Sequence, residues 1–137
     1  MEYLKKVLFA EDEEPLRKLI GRITKLKGLE VDFAEDGQIA LDKIDALSAQ
    51  GLSYPIISTD LTMPNLDGIR LIEEIGERVG SKRILQPQIY VFSGGHPREK
   101  ELTNLDIYNL VEQKYAKPVS LVDFANKIKT SYDNLRI

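Results

Sequence analysis

Five polar residues of types that can do chemistry each follow a short apolar run: Glu11 and Asp12, Asp60, Ser93, and Lys117. Carboxylates that lie close together either share protons or bind a cation. A group of Asp and Glu without His or Cys suits a hard cation, Mg²⁺ best, although Mn²⁺ and Ca²⁺ also accept such ligands. The three acids are therefore a candidate metal site.

A carboxylate beside a divalent cation can attack phosphorus, because the cation offsets the repulsion between the carboxylate and an anionic phosphate. Asp60 is the candidate nucleophile. Lys117 would then supply a fixed positive charge for one phosphoryl oxygen, and the Ser93 hydroxyl would donate a hydrogen bond to another. The predicted chemistry is thus transfer of a phosphoryl group to an aspartate.

These side chains can meet only if the segments before them lie in one sheet. Apolar runs of strand length predict five strands, at Val7–Ala10, Val31–Ala34, Ile56–Thr59, Ile89–Phe92 and Val111–Ala116. A helical pattern follows each strand, which predicts five helices. Regular alternation of this kind favours a parallel sheet that is covered by helices on both faces.

Apolar residues at helical spacing define the expected buried face of each helix. These faces are Leu16, Leu19, Ile20, Ile23 and Leu26; Ala40, Leu41, Ile44 and Leu47; Ile69, Ile72, Ile75 and Val79; and Leu121, Val122, Ala125 and Ile128. The third helix is expected to start near Leu66, and the fourth, from about Pro97 to Ile107, has a weak apolar face. Gly28 should end the first helix, and Ser120 should cap the last.

The predicted fold class is α/β, with a doubly wound five-stranded parallel sheet of order 2-1-3-4-5, five helices and three layers, as in flavodoxin-like folds. In such sheets the ligand site lies at the carboxyl ends of the strands, near the point where the strand order reverses. The five polar residues follow strands one, three, four and five. All of them are expected at this one edge of the sheet.

The sequence here resembles a known family, the receiver domains of two-component signalling. The resemblance spans nearly the whole chain and rests on Glu11-Asp12, Asp60 to Pro64, Asp67-Gly68, Ser93-Gly94 and Lys117-Pro118. It implies that Asp60 is phosphorylated and that Glu11 and Asp12 serve the metal directly or through water. It also implies that Thr62 lends its backbone carbonyl to the metal, that Ser93 reorients toward the phosphate, and that the Lys117-Pro118 bond can be cis.

At 137 residues the chain is long enough for one compact domain and too short for a second domain of ordinary size. We therefore expect a stand-alone response regulator: a single receiver domain over residues 1–137, with a core of about 5–132 and no output domain. Such a protein is no conventional enzyme, although it carries Mg²⁺-dependent self-phosphorylation and self-dephosphorylation chemistry. Its phosphodonor would be a sensor histidine kinase or a histidine phosphotransfer protein, and an effector protein would read its conformational change. It would act as a monomer or as a phosphorylation-dependent dimer.

One position departs from the family pattern. The family usually has an aromatic residue three positions before the lysine, where it helps to pass the signal to the output face. Lys114 occupies that position here, and Tyr115 follows it. Because side chains alternate along a strand, Tyr115 is expected to point the opposite way. The output face is therefore expected to work through charge or through a different side chain.

Composition limits the kinds of binding partner and the cellular compartment that we expect for this protein. A formal net charge of −3 leaves no basic surplus for a nucleic-acid backbone, and Lys5-Lys6 and Lys82-Arg83 are too short to form a basic stripe. With no cysteine, thiolate metal sites and thiol catalysis are excluded. Neither a signal peptide nor an apolar run near the roughly 20 residues of a membrane span is present. We therefore expect a cytoplasmic protein without nucleic-acid or membrane partners.

Each motif also has a simpler structural interpretation. Glu11 to Pro15 could be the acidic first turn of a helix, and Asp60 to Gly68 could be only a turn. Ser93-Gly94-Gly95 could likewise be a flexible turn, and Lys117 a surface lysine. His96, the single histidine, is expected to be an exposed loop residue. The order of acid, acid, hydroxyl and lysine on four strands is what favours a site.

Three other functions fit parts of the pattern. Haloacid-dehalogenase-like phosphatases also use an aspartate nucleophile and Mg²⁺, but they need a second Asp at the position of Thr62. A flavin or nucleotide module needs glycine in the first turn after strand one, where this chain has the acidic residues Glu11 to Glu14. A receiver-like interaction module regulated without phosphorylation is the remaining alternative, although such modules typically lose an acid or the lysine.

Overall fold

The computed structural model describes residues 1–93, 111–116 and 121–137, with side chains described for 1–92 and 121–137. Its elements are β1 (Glu2–Tyr3), β2 (Val7–Ala10), α1 (Glu14–Leu26), β3 (Val31–Ala34), α2 (Gly37–Ser48), β4 (Leu52–Ser53), β5 (Ile56–Thr59), α3 (Gly68–Gly80), β6 (Gln88–Ser93), β7 (Val111–Ala116) and α4 (Leu121–Asp133). The helix predicted from about Pro97 to Ile107, His96, Lys117 and the Ser120 cap lie outside the described residues. None of the described helices is long and apolar enough to cross a membrane.

Five strands form one parallel sheet in the order β3-β2-β5-β6-β7. In this order β2 and β5 are neighbours, and Ala10 pairs with Thr59 at their carboxyl ends. The residues that follow, Glu11 and Asp60, therefore leave the same edge of the sheet side by side. The predicted α/β architecture with a parallel sheet is confirmed.

Alternation along the strands divides the core between the two faces of the sheet. On β2, Leu8 and Ala10 pack in a cluster with α2 and α3, whereas Val7 and Phe9 pack in a second cluster with α1 and α4. Helices thus cover both faces of the central strands. This packing fixes the position of β2 and β5, whose carboxyl ends lead into the candidate site.

The apolar faces predicted for α1 and α4, which cover the same face of the sheet, were partly wrong. Leu26 is 88% exposed, Leu19 46% and Val122 51%. On α1 the buried positions are Ile20 and Thr24, so Leu19 and Leu26 lie on the side of the helix away from the core. On α4 the predicted Ala125 and Ile128 are buried, but the largest fully buried side chain is Phe124, which stacks on Phe92 with 4.7 Å between the ring centroids.

Helix α3 begins at Gly68, two residues after the predicted start near Leu66. Asp67 causes the difference, because its Oδ1 accepts a hydrogen bond from the Arg70 N–H at 2.8 Å and so caps the helix. Leu66 belongs to the loop instead. The residues between Asp60 and Asp67 therefore form a turn at the edge of the sheet rather than the first turn of a helix.

A second, two-stranded parallel sheet joins β1 to β4 and was not predicted. Each strand has two residues, which is too short for an alternating pattern to appear in the sequence. The Glu2 N–H donates to the Gly51 carbonyl, and the Leu4 N–H donates to the Ser53 carbonyl. Because β1 precedes β2 and β4 precedes β5, this pair leads into the amino ends of the main strands, whereas the candidate site follows their carboxyl ends.

Candidate functional site

The carboxylates of Glu11, Asp12 and Asp60 come together at the carboxyl edge of the sheet. One oxygen from each residue lies within 4.8 Å of the others. Glu11 is 3% exposed and Asp60 7%, whereas Asp12 is exposed. Backbone bonds set this geometry: the Glu11 N–H donates to the Ala34 carbonyl, and the Asp60 N–H donates to the Ala10 carbonyl.

Three carboxylates at this spacing repel one another unless a proton or a cation lies between them. Every donor atom in the group is a carboxylate oxygen, the ligand type that Mg²⁺ prefers in proteins. Two of the three are buried in the fold and the third faces solvent, which leaves a path for a hydrated ion. The residues present therefore fit a hard divalent cation.

The backbone of Asp60 is fixed by its neighbours. The Thr59 hydroxyl donates to the Asp60 carbonyl at 2.8 Å, and the Gly68 N–H donates to the carbonyl of fully buried Leu61 at 2.9 Å. The Thr62 N–H lies 3.3 Å from Asp60 Oδ1 and can donate to it. These bonds close the loop that runs from Asp60 to Gly68. They hold the Asp60 carboxylate at the start of that loop.

Glu11 is held from the α1 side. The Arg17 guanidinium donates to the Glu11 carbonyl at 2.9 Å, and the Glu13 N–H lies 3.3 Å from Glu11 Oε2. The first turn of α1 also carries the acidic Glu14 and Pro15, as the simpler interpretation of this segment predicted. The helix start and the acidic site therefore use the same stretch of chain without conflict.

The remaining predicted site residues are described only in part. Thr62 is exposed in the loop after β5, and the metal-ligand role of its carbonyl stays a prediction. Ser93 ends β6 and pairs in register with Ala116, the residue before Lys117. The side chain of Ser93 and the whole of Lys117 lie outside the described residues, so their contacts with phosphate also stay predictions.

The predicted departure at the output face is also described only by the backbone. Lys114 pairs with Val91 and Tyr115 with Phe92 across β6 and β7. No side chain of β7 is described, so the effect of Lys114 on the readout stays a prediction.

Two residues that support the site were not assigned a role from the sequence. Gly68 lies so close to Asp60 that a side chain there would meet the backbone, and Arg17 holds the Glu11 carbonyl. The Asp67-Gly68 pair could have pointed to Gly68, because glycine beside a cap residue often marks a close backbone approach. Arg17 gave no signal, since its partner is a backbone atom six residues away.

Comparisons with known proteins agree with this geometry. The family profile described as response regulator receiver domain matches residues 7–128. Response regulator RR06 of Streptococcus pneumoniae is 30% identical over 90% of this chain and 51% of its own length. The osmosensing histidine protein kinase SLN1 of Saccharomyces cerevisiae is 36% identical over 55% of this chain, which covers only 6% of that kinase.

Solved structures show the same fold. The Francisella response regulator 1452 receiver domain superposes with a TM-score of 0.74 at 23% identity, covering 96% of this chain and 98% of that one. Because the family profile matches residues 7–128, the chain belongs to the response regulator receiver domain family. Members of this family are signalling proteins of two-component systems rather than classical enzymes.

Proposed function

We propose that this protein accepts a phosphoryl group on Asp60 from a phosphohistidine partner and passes the signal on through a change in shape. The observation that carries the proposal is the convergence of Glu11, Asp12 and Asp60 within 4.8 Å at the carboxyl edge of the sheet. A lone acidic turn would not bury two of three carboxylates this close together. Membership of the receiver family supports the same function.

In the proposed reaction a carboxylate oxygen of Asp60 attacks the phosphorus of a phosphohistidine. A new O–P bond forms as the P–N bond breaks, and the electron pair of that bond returns to the imidazole nitrogen. The product is an acyl phosphate on Asp60 and a free histidine on the partner. Hydrolysis by water later restores the carboxylate and releases inorganic phosphate.

Glu11, Asp12 and Asp60 would hold Mg²⁺, with Mn²⁺ as a substitute, and the Thr62 carbonyl would complete the protein ligands. The bound cation offsets the repulsion between the carboxylate and the incoming phosphate. Lys117 and Ser93 would bind two of the phosphoryl oxygens, as their positions after β7 and at the end of β6 suggest. Reorientation of Ser93 would then link the phosphate to the face used for output.

The proposed phosphodonor is a sensor histidine kinase or a histidine phosphotransfer protein, and the proposed reader is an effector protein. SLN1, whose name identifies a histidine protein kinase, contains a segment similar to this chain. A cytoplasmic location and action as a monomer or a phosphorylation-dependent dimer belong to the same proposal. The alternative is an interaction module that is never phosphorylated, and it predicts that Asp60 accepts no phosphoryl group.

Mass spectrometry after incubation with phosphoramidate and Mg²⁺ tests the acceptor directly. The wild-type protein should gain the mass of one phosphoryl group, and the adduct should be lost on mild hydrolysis. Asp60→Asn should gain nothing, whereas Asp42→Asn, on an exposed part of α2, should behave as wild type. An unchanged wild-type mass, with and without Mg²⁺, would favour the alternative.

A further inference from the structure

A buried carboxylate outside the metal cluster joins the acceptor loop to the neighbouring strand. Asp36 follows β3 and is 6% exposed. Its Oδ1 accepts a hydrogen bond from the Ile39 N–H at 2.8 Å, which caps α2. Its Oδ2 accepts a second bond from the Asn65 side-chain amide at 2.7 Å, across 29 residues of sequence. Helix capping accounts for only one of these two bonds.

Asn65 has an unusual backbone conformation. Its φ is +66°, in the left-handed region that residues other than glycine adopt at some cost. Such a conformation persists where the surrounding structure imposes it, and it is common at functional sites. The short, charge-assisted bond to Asp36 is a contact of this kind. It ties Asn65, in the loop between Asp60 and Gly68, to the residue that caps α2.

The next residue along the loop is packed against the same helix start. A Cβ built on Gly37 would lie 2.0 Å from the Leu66 carbonyl oxygen, so the two backbones touch. The Leu66 N–H also donates to the Pro64 carbonyl at 2.7 Å, which tightens the turn. Together these contacts dock the loop onto the first residues of α2.

The two segments that meet at this docking point each contact a member of the acidic cluster. The segment that leads into Asp36 starts at Ala34, whose carbonyl accepts the Glu11 N–H at 3.0 Å. The loop that Asn65 belongs to begins at Asp60 and includes Thr62, whose N–H lies 3.3 Å from the Asp60 carboxylate. The Asp36 segment therefore contacts the Glu11 backbone on one side and the acceptor loop on the other.

We propose that the Asp36–Asn65 hydrogen bond is a latch that positions the acceptor loop for metal binding and phosphoryl transfer at Asp60. Asp36 and Asn65 are positioning residues: neither is among the proposed ligands, and both act through the loop that carries Thr62. The inference rests on the proposed function. Loss of a partner that orients a metal ligand directly typically weakens metal affinity by about tenfold or more, and the latch would act on the ligands through the loop backbone.

Two substitutions break the latch without removing the other roles of these residues. Asp36→Ser keeps a good helix cap but loses the acceptor for Asn65. Asn65→Gly keeps the positive φ but loses the donor. Ile44→Val is the matched control, because it trims the buried core under α2 at a cost of about 1 kcal/mol without touching the loop.

Isothermal titration calorimetry with MgCl₂ gives the Mg²⁺ affinity of each variant without any phosphoryl transfer. Hydrogen exchange of the Leu66 amide, measured without metal, reports loop opening. We expect about tenfold weaker Mg²⁺ binding in each latch variant, faster exchange at Leu66, and no change in Ile44→Val. Since the two residues act as one contact, the double variant should bind Mg²⁺ no more weakly than either single variant.

If both single variants bound Mg²⁺ as tightly as the wild-type protein, the proposed latch would be wrong. It would also be wrong if the loss of Mg²⁺ affinity in the double variant equalled the product of the two single losses. A wild-type protein that binds Mg²⁺ but forms no phosphoryl adduct would contradict the proposed function alone. A wild-type protein that binds no Mg²⁺ would overturn both.

Discussion

Gly68 lies against the carbonyl group of Asp60. A Cβ built at Gly68 would come within 1.9 Å of the Asp60 carbonyl oxygen and 2.8 Å of the Leu61 Cα. Both obstacles are backbone atoms, which cannot move aside as a flexible side chain can. The first residue of α3 is therefore packed directly on the proposed acceptor, so a change in this helix start changes the site.

Replacement of Gly68 by alanine should accordingly damage both stability and function. We expect Gly68→Ala to lower the free energy of unfolding by about 2 kcal/mol or more, because α3 must shift away from β5. Phosphorylation by phosphoramidate should slow as Asp60 moves. Urea denaturation and the rate of adduct formation measure the two effects.

Gly21→Ala is the matched control for that experiment. Gly21 lies inside α1, and a Cβ there would make ordinary contact with the Phe33 ring at 3.7 Å. This substitution should raise stability by up to about 1 kcal/mol, since alanine favours the helix, and should leave phosphorylation unchanged. Equal behaviour of the two variants would contradict the close approach at Gly68.

Mg²⁺ should stabilise the folded protein through the acidic cluster. At a concentration 100 times the dissociation constant, binding to the native state alone adds about 2.7 kcal/mol to the free energy of unfolding. Asp12→Ala should remove most of this gain without unfolding the protein, because Asp12 is exposed. Thermal unfolding with and without MgCl₂ gives the comparison.

Glu77→Ala removes one exposed carboxylate from α3 and serves as the charge-matched control. It should keep the full Mg²⁺ stabilisation. The proposed site would be wrong if Asp12→Ala and the wild-type protein gained equally from Mg²⁺.

The ion pair between α2 and α3 should give a pH-dependent part of the stability. Arg78 is 8% exposed and binds both oxygens of Asp45, with Nε–Oδ1 2.7 Å and Nη2–Oδ2 3.0 Å. The hydrogen bond from Arg78 holds the pKa of Asp45 below its ordinary value. A lowered native pKa stabilises the fold above the unfolded pKa of about 3.9, and this stabilisation is lost as the pH falls through the native pKa.

Asp45→Asn should therefore lower the free energy of unfolding at pH 7 by about 1 kcal/mol, a modest value because Asp45 is half exposed to solvent. The difference from wild type should shrink as the pH falls below about 4. Urea denaturation from pH 7 to pH 3 tests this. Asp42→Asn is the control, because the Asp42 carboxylate accepts a hydrogen bond only from Gln38 of its own helix among the hydrogen bonds described. A difference that is constant with pH would rule out the ion pair as its source.

On the face of the sheet covered by α1 and α4, replacing a buried apolar residue should lower the free energy of unfolding far more than replacing an exposed one. Phe124 is 1% exposed and contacts both Phe9 and Phe92, so Phe124→Ala should cost about 3 to 5 kcal/mol. Leu26→Ala should change stability by no more than about 0.5 kcal/mol, because Leu26 is almost fully exposed. Urea denaturation measures both changes in the free energy of unfolding. Similar values for the two variants would contradict the exposure of Leu26 on α1.

Much of the fold could be predicted because it depends on local patterns. An apolar run followed by a polar strand end appears directly in the residue order, as at Val7–Ala10 before Glu11. The strands found at β2, β3, β5 and β7 have the predicted bounds, and β6 is one residue longer at each end. The start of α3 was predicted two residues early, because the hydrogen bond from the Arg70 N–H to Asp67 that caps the helix leaves no trace in the apolar pattern.

The candidate metal site was likewise predicted from local signals, since each of its acids follows a strand. Other features depended on which elements become neighbours. The Asp36–Asn65 bond joins residues 29 apart, and the Arg78–Asp45 pair joins residues 33 apart. Neither pair repeats at a helical or strand spacing, so no periodicity points to it.

Local residue order specifies the strand ends, the acids placed on them and the kind of cation that suits them, because those properties belong to single residues and their immediate neighbours. How those acids are held depends on contacts between elements that are distant in the chain. Pairing of Ala10 with Thr59 brings Glu11 and Asp60 to one edge, and contacts through Gly68 and Asn65 fix the loop between them. Such contacts depend on the arrangement of whole elements in space, which local residue order does not specify.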